Sequence, residues 1–212
     1  LSSILGLSIA LYGVTIVAGL YLAFVSSILI LAVTGVGIIG SVFYTADPLV
    51  LKARGLGEVT VFSMWGLLIP LGSYMVQTGS YSLAPAVAAL PIGLLVAEVL
   101  LANNIRDVEY DGSVGTRTLA VAIGAKRAEN VYAWILGAVY LLVIAGILGR
   151  LLPIWSLLVF ITSPEAFRLS KMFRGEVPDN ADPRTAALAL RFSLLYMGSL
   201  VLAIIVPVGN PF

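Results

Sequence analysis

Two residue types are missing from this 212-residue sequence, cysteine and histidine. Without cysteine there is no disulfide and no thiolate centre. Without histidine there is no imidazole base, no haem ligation by imidazole and no zinc site of the Cys/His kind. Any metal must then be a hard cation held by carboxylates. Charge is scarce as well: 11% of residues, twelve basic against eleven acidic, a net +1 that gives no sign of a nucleic-acid partner. What is present is apolar, 60% of residues with a mean hydropathy of +1.06, well above a soluble domain of this length. The chain reads as an integral membrane protein.

A hydrocarbon core of about 30 Å needs roughly 20 apolar residues per helix. Seven segments qualify, near residues 3–24, 27–46, 58–77, 84–104, 130–149, 152–167 and 186–206. The sixth is interrupted by Pro164 and Glu165. Backbone exposed to lipid must satisfy its own hydrogen bonds, so the expected fold is an all-α, multi-pass transmembrane helical bundle, a single domain over 1–212. The opening LSSILGLSIALYG starts in mid-helix with no initiator Met and no signal-peptide pattern, which predicts an N-terminally incomplete domain.

The loops sort by charge. Those after the second, fourth and sixth spans carry Lys52 and Arg54; Arg106, Arg117, Lys126 and Arg127; and Arg168, Lys171, Arg174 and Arg184. Ten of the twelve basic residues thus share one side, which the positive-inside rule makes cytoplasmic. Orientation alone accounts for most of them. The acidic residues, however, cluster on the same side.

In "ANNIRDVEYDGSVGTRTLAVAIG", residues 102–124, Asn103, Asp107 and Asp111 recur every four positions, one stripe on a helix. Arg106, Asp107, Glu109 and Asp111 at mid-membrane would cost about 3 kcal/mol each, on the order of 10 in sum, so this turn belongs at the interface or in a wet cavity. A helix leaving the membrane with solvated charges is the simpler account. Yet a D-x-x-x-D pair also suits Mg²⁺, one oxygen from each carboxylate leaving positions for phosphate oxygens and water. A second cluster, "FYTADPLVLKARGLGE" at 43–58, sets Lys52 and Arg54 before Gly55 and Gly57 at a helix entry, a weak phosphate-cradle signal alone and a better one opposite a carboxylate stripe.

These segments resemble the UbiA superfamily of intramembrane prenyltransferases, in its MenA-like branch. The likeness runs from about Phe43 to the C-terminus. It rests on "NNIRDVEYDGSVGTRTLAVAIG", similar to the family's second aspartate motif and its G-x-x-T-L-A-x-x-x-G continuation, on "YTADPLVLKARGLGE", and on "ADPRTAALALRFSLLYMGSLV" as the last helix. Members have nine helices, so the seven spans would be helices three to nine; the first aspartate motif, expected upstream of Leu1, is not in the sequence.

The resemblance implies a membrane enzyme moving an isoprenyl group from an isoprenyl diphosphate to an aromatic acceptor. Asp107 and Asp111 would bind Mg²⁺, with Asn103, Asn104 and Arg106 supporting the metal or the diphosphate. Lys52 and Arg54 would stabilise the leaving diphosphate, and Tyr44 would face the allylic cation. In the MenA-like branch the acceptor is 1,4-dihydroxy-2-naphthoate, the product a menaquinone precursor and the setting a prokaryotic plasma membrane with the site on the cytoplasmic side. The alternative within the same family is another acceptor, hydroxybenzoate or geranylgeranylglyceryl phosphate.

Other residues carry less. Glu98, inside the fourth span, is equally a functional carboxyl or a structural group. Trp65, Trp134 and Trp155 suit packing or membrane boundaries, and Arg168, Lys171 and Arg174 suit orientation before lipid headgroups. A rival class, a small ion-coupled transporter, would want its charges near mid-membrane, whereas all but Glu98 lie at span ends.

Overall fold

The computed structural model describes residues 2–175 and 177–208. Its elements are helical: α1 (Ser2–Val25), α2 (Ile30–Thr45), α3 (Gly57–Thr78), α4 (Ala84–Arg106), the short α5 (Val108–Ser113) and α6 (Leu119–Ile123), α7 (Ala125–Leu148), α8 (154–173) and α9 (Ala181–Ile205). Five of these, α1, α3, α4, α7 and α9, are long and apolar enough to cross a membrane. The sixteen-residue α2 is apolar but shorter. The expected helical membrane bundle is what forms.

Three local features lie outside the sequence expectation. Pro164 does not interrupt α8: a 3-10 run over Ile154–Thr162 hands over to an α-helix at Ser163–Phe173, and Pro164 occupies its first turn, where no N–H is needed. The last helix begins at Ala181, five residues earlier than the apolar run, because the polar lead "ADPRT" is already helical. Helix α3 carries a π-helical stretch at Ser63–Leu68, ending two residues before Pro70, which cannot donate to the regular ladder.

Helices in lipid gain little from hydrophobic exclusion among themselves, so close packing and interhelical hydrogen bonds hold the bundle. Helix α4 is the element the others share, lying against α3, α7 and α9. At its crossing with α3 two glycines meet: a β-carbon on Gly93 would sit on the Gly66 Cα and 2.9 Å from its nitrogen. Around α7, α8 and α9 the core is aromatic and tied by hydroxyls. Tyr132 stacks on Phe173 with centroids 3.9 Å apart, and its hydroxyl pairs with that of Thr185 at 2.9 Å. Tyr196 donates to the Ala88 carbonyl at 2.7 Å, fastening α9 to α4. By contrast α1 is almost wholly exposed, as a lipid-facing helix is.

The Gly66–Gly93 crossing leads to a stability test. Gly93→Ala forces two backbones apart and should destabilise the detergent-solubilised protein by about 1–3 kcal/mol. Gly137→Ala, on an open face of α7 with nothing within 4 Å, should leave the melting temperature unchanged or slightly higher. Equal melting of the two variants would contradict the crossing.

Candidate active site at one end of the bundle

The cationic turn follows α2. Leu51–Ala53 form one turn of 3-10 helix, entered by Val50 at φ 41°, ψ 55°, a left-handed conformation that β-branched residues rarely take. Gly55 at φ 71° then swings the chain into α3. Closed hydrogen bonds hold the turn: Val50 N–H to the Ala46 carbonyl at 3.0 Å and Leu56 N–H to the Leu51 carbonyl at 3.2 Å. Arg54 braces it from its own side chain, Nη2 donating to the Pro48 carbonyl at 2.6 Å.

The acidic segment begins where α4 stops. The helix breaks at Asp107 (φ −94°, ψ 11°) and α5 restarts at Val108, yet the four-residue rung survives the break. Asp107 N–H bonds the Asn103 carbonyl at 3.0 Å, and Asp111 N–H bonds the Asp107 carbonyl at 2.9 Å. The stripe read from the sequence is therefore kept, bent rather than straight.

One backbone contact joins the two clusters: Arg54 and Arg117 form an isolated parallel β-bridge. It sets the cationic turn against the strand-like return after α5. Side chains follow the backbone. Asn104 Nδ2 donates to Glu58 Oε1 at 2.8 Å, and Lys52 stands close enough to Asp111 for its charge to favour the ionised carboxylate. Tyr44 is half-buried beside Glu58. So Tyr44, Lys52, Arg54, Asn104 and Asp111 come together at one end, with Asn103 and Asp107 one turn along α4.

Arg106, expected to support the metal or the diphosphate, is engaged by protein groups. Its Nε and Nη2 take both Asp107 oxygens at 2.8 Å, Nη2 also reaches Asn103 Oδ1 at 2.9 Å, and Nη1 bonds Asp182 and the Asp179 carbonyl. Arg106 is thus the clasp between the α4 end and the lead into α9. Asp182 was invisible to sequence reasoning, since its partner lies 76 positions away. Glu58 was missed too: one acid after Gly57 reads as an ordinary helix entry. Glu98 lies outside this cluster, sealed in the core near Tyr132, both carboxyl oxygens without a partner.

The two aspartates differ electrically. The Arg106 guanidinium holds the Asp107 carboxyl below the usual carboxylate range. Burial, and then the Asp107 charge, push Asp111 up, while Thr118 and Lys52 pull it back. Among the described residues no three acidic groups converge into a metal cage. Two carboxylates repelling one another one turn apart nevertheless fit a divalent cation: Mg²⁺ commonly takes one or two carboxylates and completes its shell with water and phosphate oxygens.

Beside Asn103 and Asp182 opens a groove of about 510 Å³ between α4 and α9, walled by Val96, Val99, Leu100, Ala186 and Ala189. It is polar at the mouth and apolar along its length.

The profile of the UbiA prenyltransferase family matches residues 6–193. The chain belongs to this family. It is 35% identical to rat "UbiA prenyltransferase domain-containing protein 1" over 174 residues, 82% of this chain and 50% of that one. It is 31% identical to the "1,4-dihydroxy-2-naphthoate octaprenyltransferase" of Bacillus subtilis (strain 168) over 179 residues, 84% of this chain and 58% of that one. A Drosophila melanogaster homologue of the rat protein is 34% identical over 76% of this chain. The chain spans about half the length of the curated relatives it matches. Within the UbiA family frame, the matched span takes in both the Lys52/Arg54 turn and the Asp107/Asp111 segment.

The raised Asp111 gives a pH test with a definite sign. A folded-state carboxyl lifted above its ordinary value leaves stability intact in acid and removes it as pH rises through the shifted value. At pH 7 ionised Asp111 therefore opposes folding. Asp111→Asn should raise the melting temperature of the ligand-free protein at pH 7, the gain shrinking to nothing below the ordinary carboxylate range. A variant less stable than the parent at pH 7 would contradict the assignment.

Proposed function

We propose that this chain carries the catalytic face of a Mg²⁺-dependent intramembrane prenyltransferase, moving an isoprenyl group from an isoprenyl diphosphate to an aromatic acceptor. The observation that carries this reading is the Arg54–Arg117 bridge, which sets a Lys/Arg turn against a paired-aspartate segment at one end of the bundle. Asp107 and Asp111 would hold the ion, which when bound neutralises diphosphate oxygens and eases departure of the leaving group.

The chain's own residues divide the remaining work. Lys52, whose charge is felt at Asp111, offers a point charge to the diphosphate, and Arg54 braces the turn that carries it. Asn103 presents its amide beside Asp107 and Asn104 braces Glu58 below them, while Arg106 keeps Asp107 ionised and in place. The allylic C–O bond breaks with its electron pair going to the diphosphate, and the Tyr44 ring would offer an aromatic face to the cation so formed. A ring carbon of the acceptor then supplies the electrons of the new C–C bond. The groove between α4 and α9 suits the isoprenyl tail, polar where the diphosphate would lie and open toward lipid along its apolar wall.

For the acceptor we propose 1,4-dihydroxy-2-naphthoate, attacked with loss of its carboxyl group in menaquinone formation, supported by the name of the Bacillus relative. The setting proposed is a prokaryotic plasma membrane with the charged end cytoplasmic, supported by the ten basic residues at that end.

In the full-length protein, Asp107→Ala or Asp111→Ala should lower Mg²⁺-dependent prenyl transfer by about a hundredfold or more. An isoprenyl diphosphate with Mg²⁺ should raise the melting temperature of the parent and not of these variants. Parent-like turnover in either variant would overturn the assignment.

A further inference from the structure

Helices α8 and α9 pack along a seam whose outer side carries charge well below the polar end of the bundle. The sequence reading put every charge except Glu98 at a span end. In the structure Arg191 lies ten residues into α9 from Ala181, about 15 Å along the helix axis, and it remains exposed. Its Nη1 donates to Glu165 Oε1 of α8, the one hydrogen bond its guanidinium makes among the described residues. Arg184, seven residues nearer the polar end, leans over the same seam, with Nη1 at 3.3 Å from Met172 Sδ of α8. Arg168 falls between these two contacts, three residues after Glu165 and four before Met172 on one face of α8. It is exposed, and among the described residues nothing is paired with it.

Three guanidiniums against one carboxylate leave the seam positively charged. Loop charge that orients the chain does not account for a cation this far inside a span. A guanidinium has five N–H donors, which are costly to face toward hydrocarbon, so an exposed arginine inside a span calls for an acceptor from outside the protein. The groove assigned to the isoprenyl chain is not where that acceptor lies. Asp182, Ala186 and Ala189 line it on α9, and at about 100° per residue Arg191 is about 200° round the helix from Ala189. The arginines therefore face the surroundings of the bundle and not the candidate active site.

We propose that the seam between α8 and α9 binds the headgroup of an anionic phospholipid, its phosphodiester held by Arg168, Arg184 and Arg191. Charge complementarity selects this occupant. A phosphodiester only accepts hydrogen bonds, carries a negative charge and matches the planar guanidinium fork. A zwitterionic headgroup brings its own cation and supplies none of the net negative charge that the seam lacks. The long arginine stems carry their charged ends toward headgroup level. Deeper in the span, Ile161 of α8 and Leu194 of α9 are apolar and largely exposed, a surface for the acyl chains. Glu165 keeps Arg191 paired without the lipid and competes with the phosphate for it.

The full-length protein in neutral detergent is titrated with phosphatidylglycerol or phosphatidylcholine, and bound lipid is counted by native mass spectrometry. The parent should retain phosphatidylglycerol about tenfold better or more. Arg168→Gln together with Arg184→Gln removes two cations without breaking an ion pair, and should weaken phosphatidylglycerol binding by about ten- to thirtyfold. Lys126→Gln together with Arg127→Gln removes as much charge from the start of α7, outside the seam, and should change binding by less than about twofold. Glu165→Gln frees Arg191 of its competitor and should tighten binding by about threefold or more.

Equal binding of the two lipids by the parent, parental affinity in the Arg168/Arg184 double variant, or an equal loss in the Lys126/Arg127 variant would each overturn the site. A protein dimer that depends on Arg168 and Arg184, in place of lipid binding, would overturn it too and assign the seam to a second copy of the chain. Affinity for an isoprenyl diphosphate should stay parental in the double variant. A loss confined to that ligand would move these arginines into the transferase site and refute the lipid assignment.

Discussion

The bridge between Arg54 and Arg117 is the contact on which the functional geometry depends, because it converts two loops 63 residues apart into one surface. In a bilayer, charged side chains gather at the ends of helices, so each loop is a small polar island above an apolar rod. An island alone has no site. Two become one only when a backbone contact sets their register, and the bridge does that while Asn104 and Glu58 repeat the join at side-chain level one layer below. Arg106 adds the third loop by reaching Asp179 and Asp182. The polar end of the bundle is thus knitted by a few long-range contacts rather than by the helices beneath it.

Those contacts explain why the two aspartates, identical in the sequence, behave differently. Asp107 is paid in full by a forked guanidinium, a geometry an ammonium could not reproduce. Asp111 has only Thr118 and a nearby Lys52 against its own desolvation and its neighbour's charge. The pair holds one compensated and one undercompensated carboxylate. This is the arrangement in which an added cation gains most, since the protein has not already neutralised the position it would occupy.

The helical bundle was legible because apolar runs of membrane length leave no other backbone solution, and α4 and α7 show this well. Boundaries were less legible where polarity and helicity part company: "ADPRT" is polar and helical, so the apolar run placed the start of α9 five residues late. Pro164 read as a break because a proline inside an apolar run usually is one; only the preceding 3-10 segment turns its position into a first turn. At the candidate site, Asn103, Asp107 and Asp111 were visible through local four-residue spacing, and Lys52 and Arg54 through a glycine-flanked turn. Asp182 and Glu58 were not, because each is defined by a partner 76 or 46 positions away that no local pattern encodes.

The contrast between Glu58 and Glu98 shows what distinguishes a buried acid belonging to a site. Both lie in membrane-spanning helices, and both have an oxygen without a partner. Glu98 has none on either oxygen and lies among core residues near Tyr132. Glu58 has one oxygen anchored by the Asn104 amide, adjacent to the aspartate segment, and the other enclosed without a partner. An anchored carboxylate has a direction, whereas an unanchored one has only a burial penalty. The Asn104 bond ties Glu58 to the joined polar end of the bundle, whereas Glu98 lies in the core without such a tie.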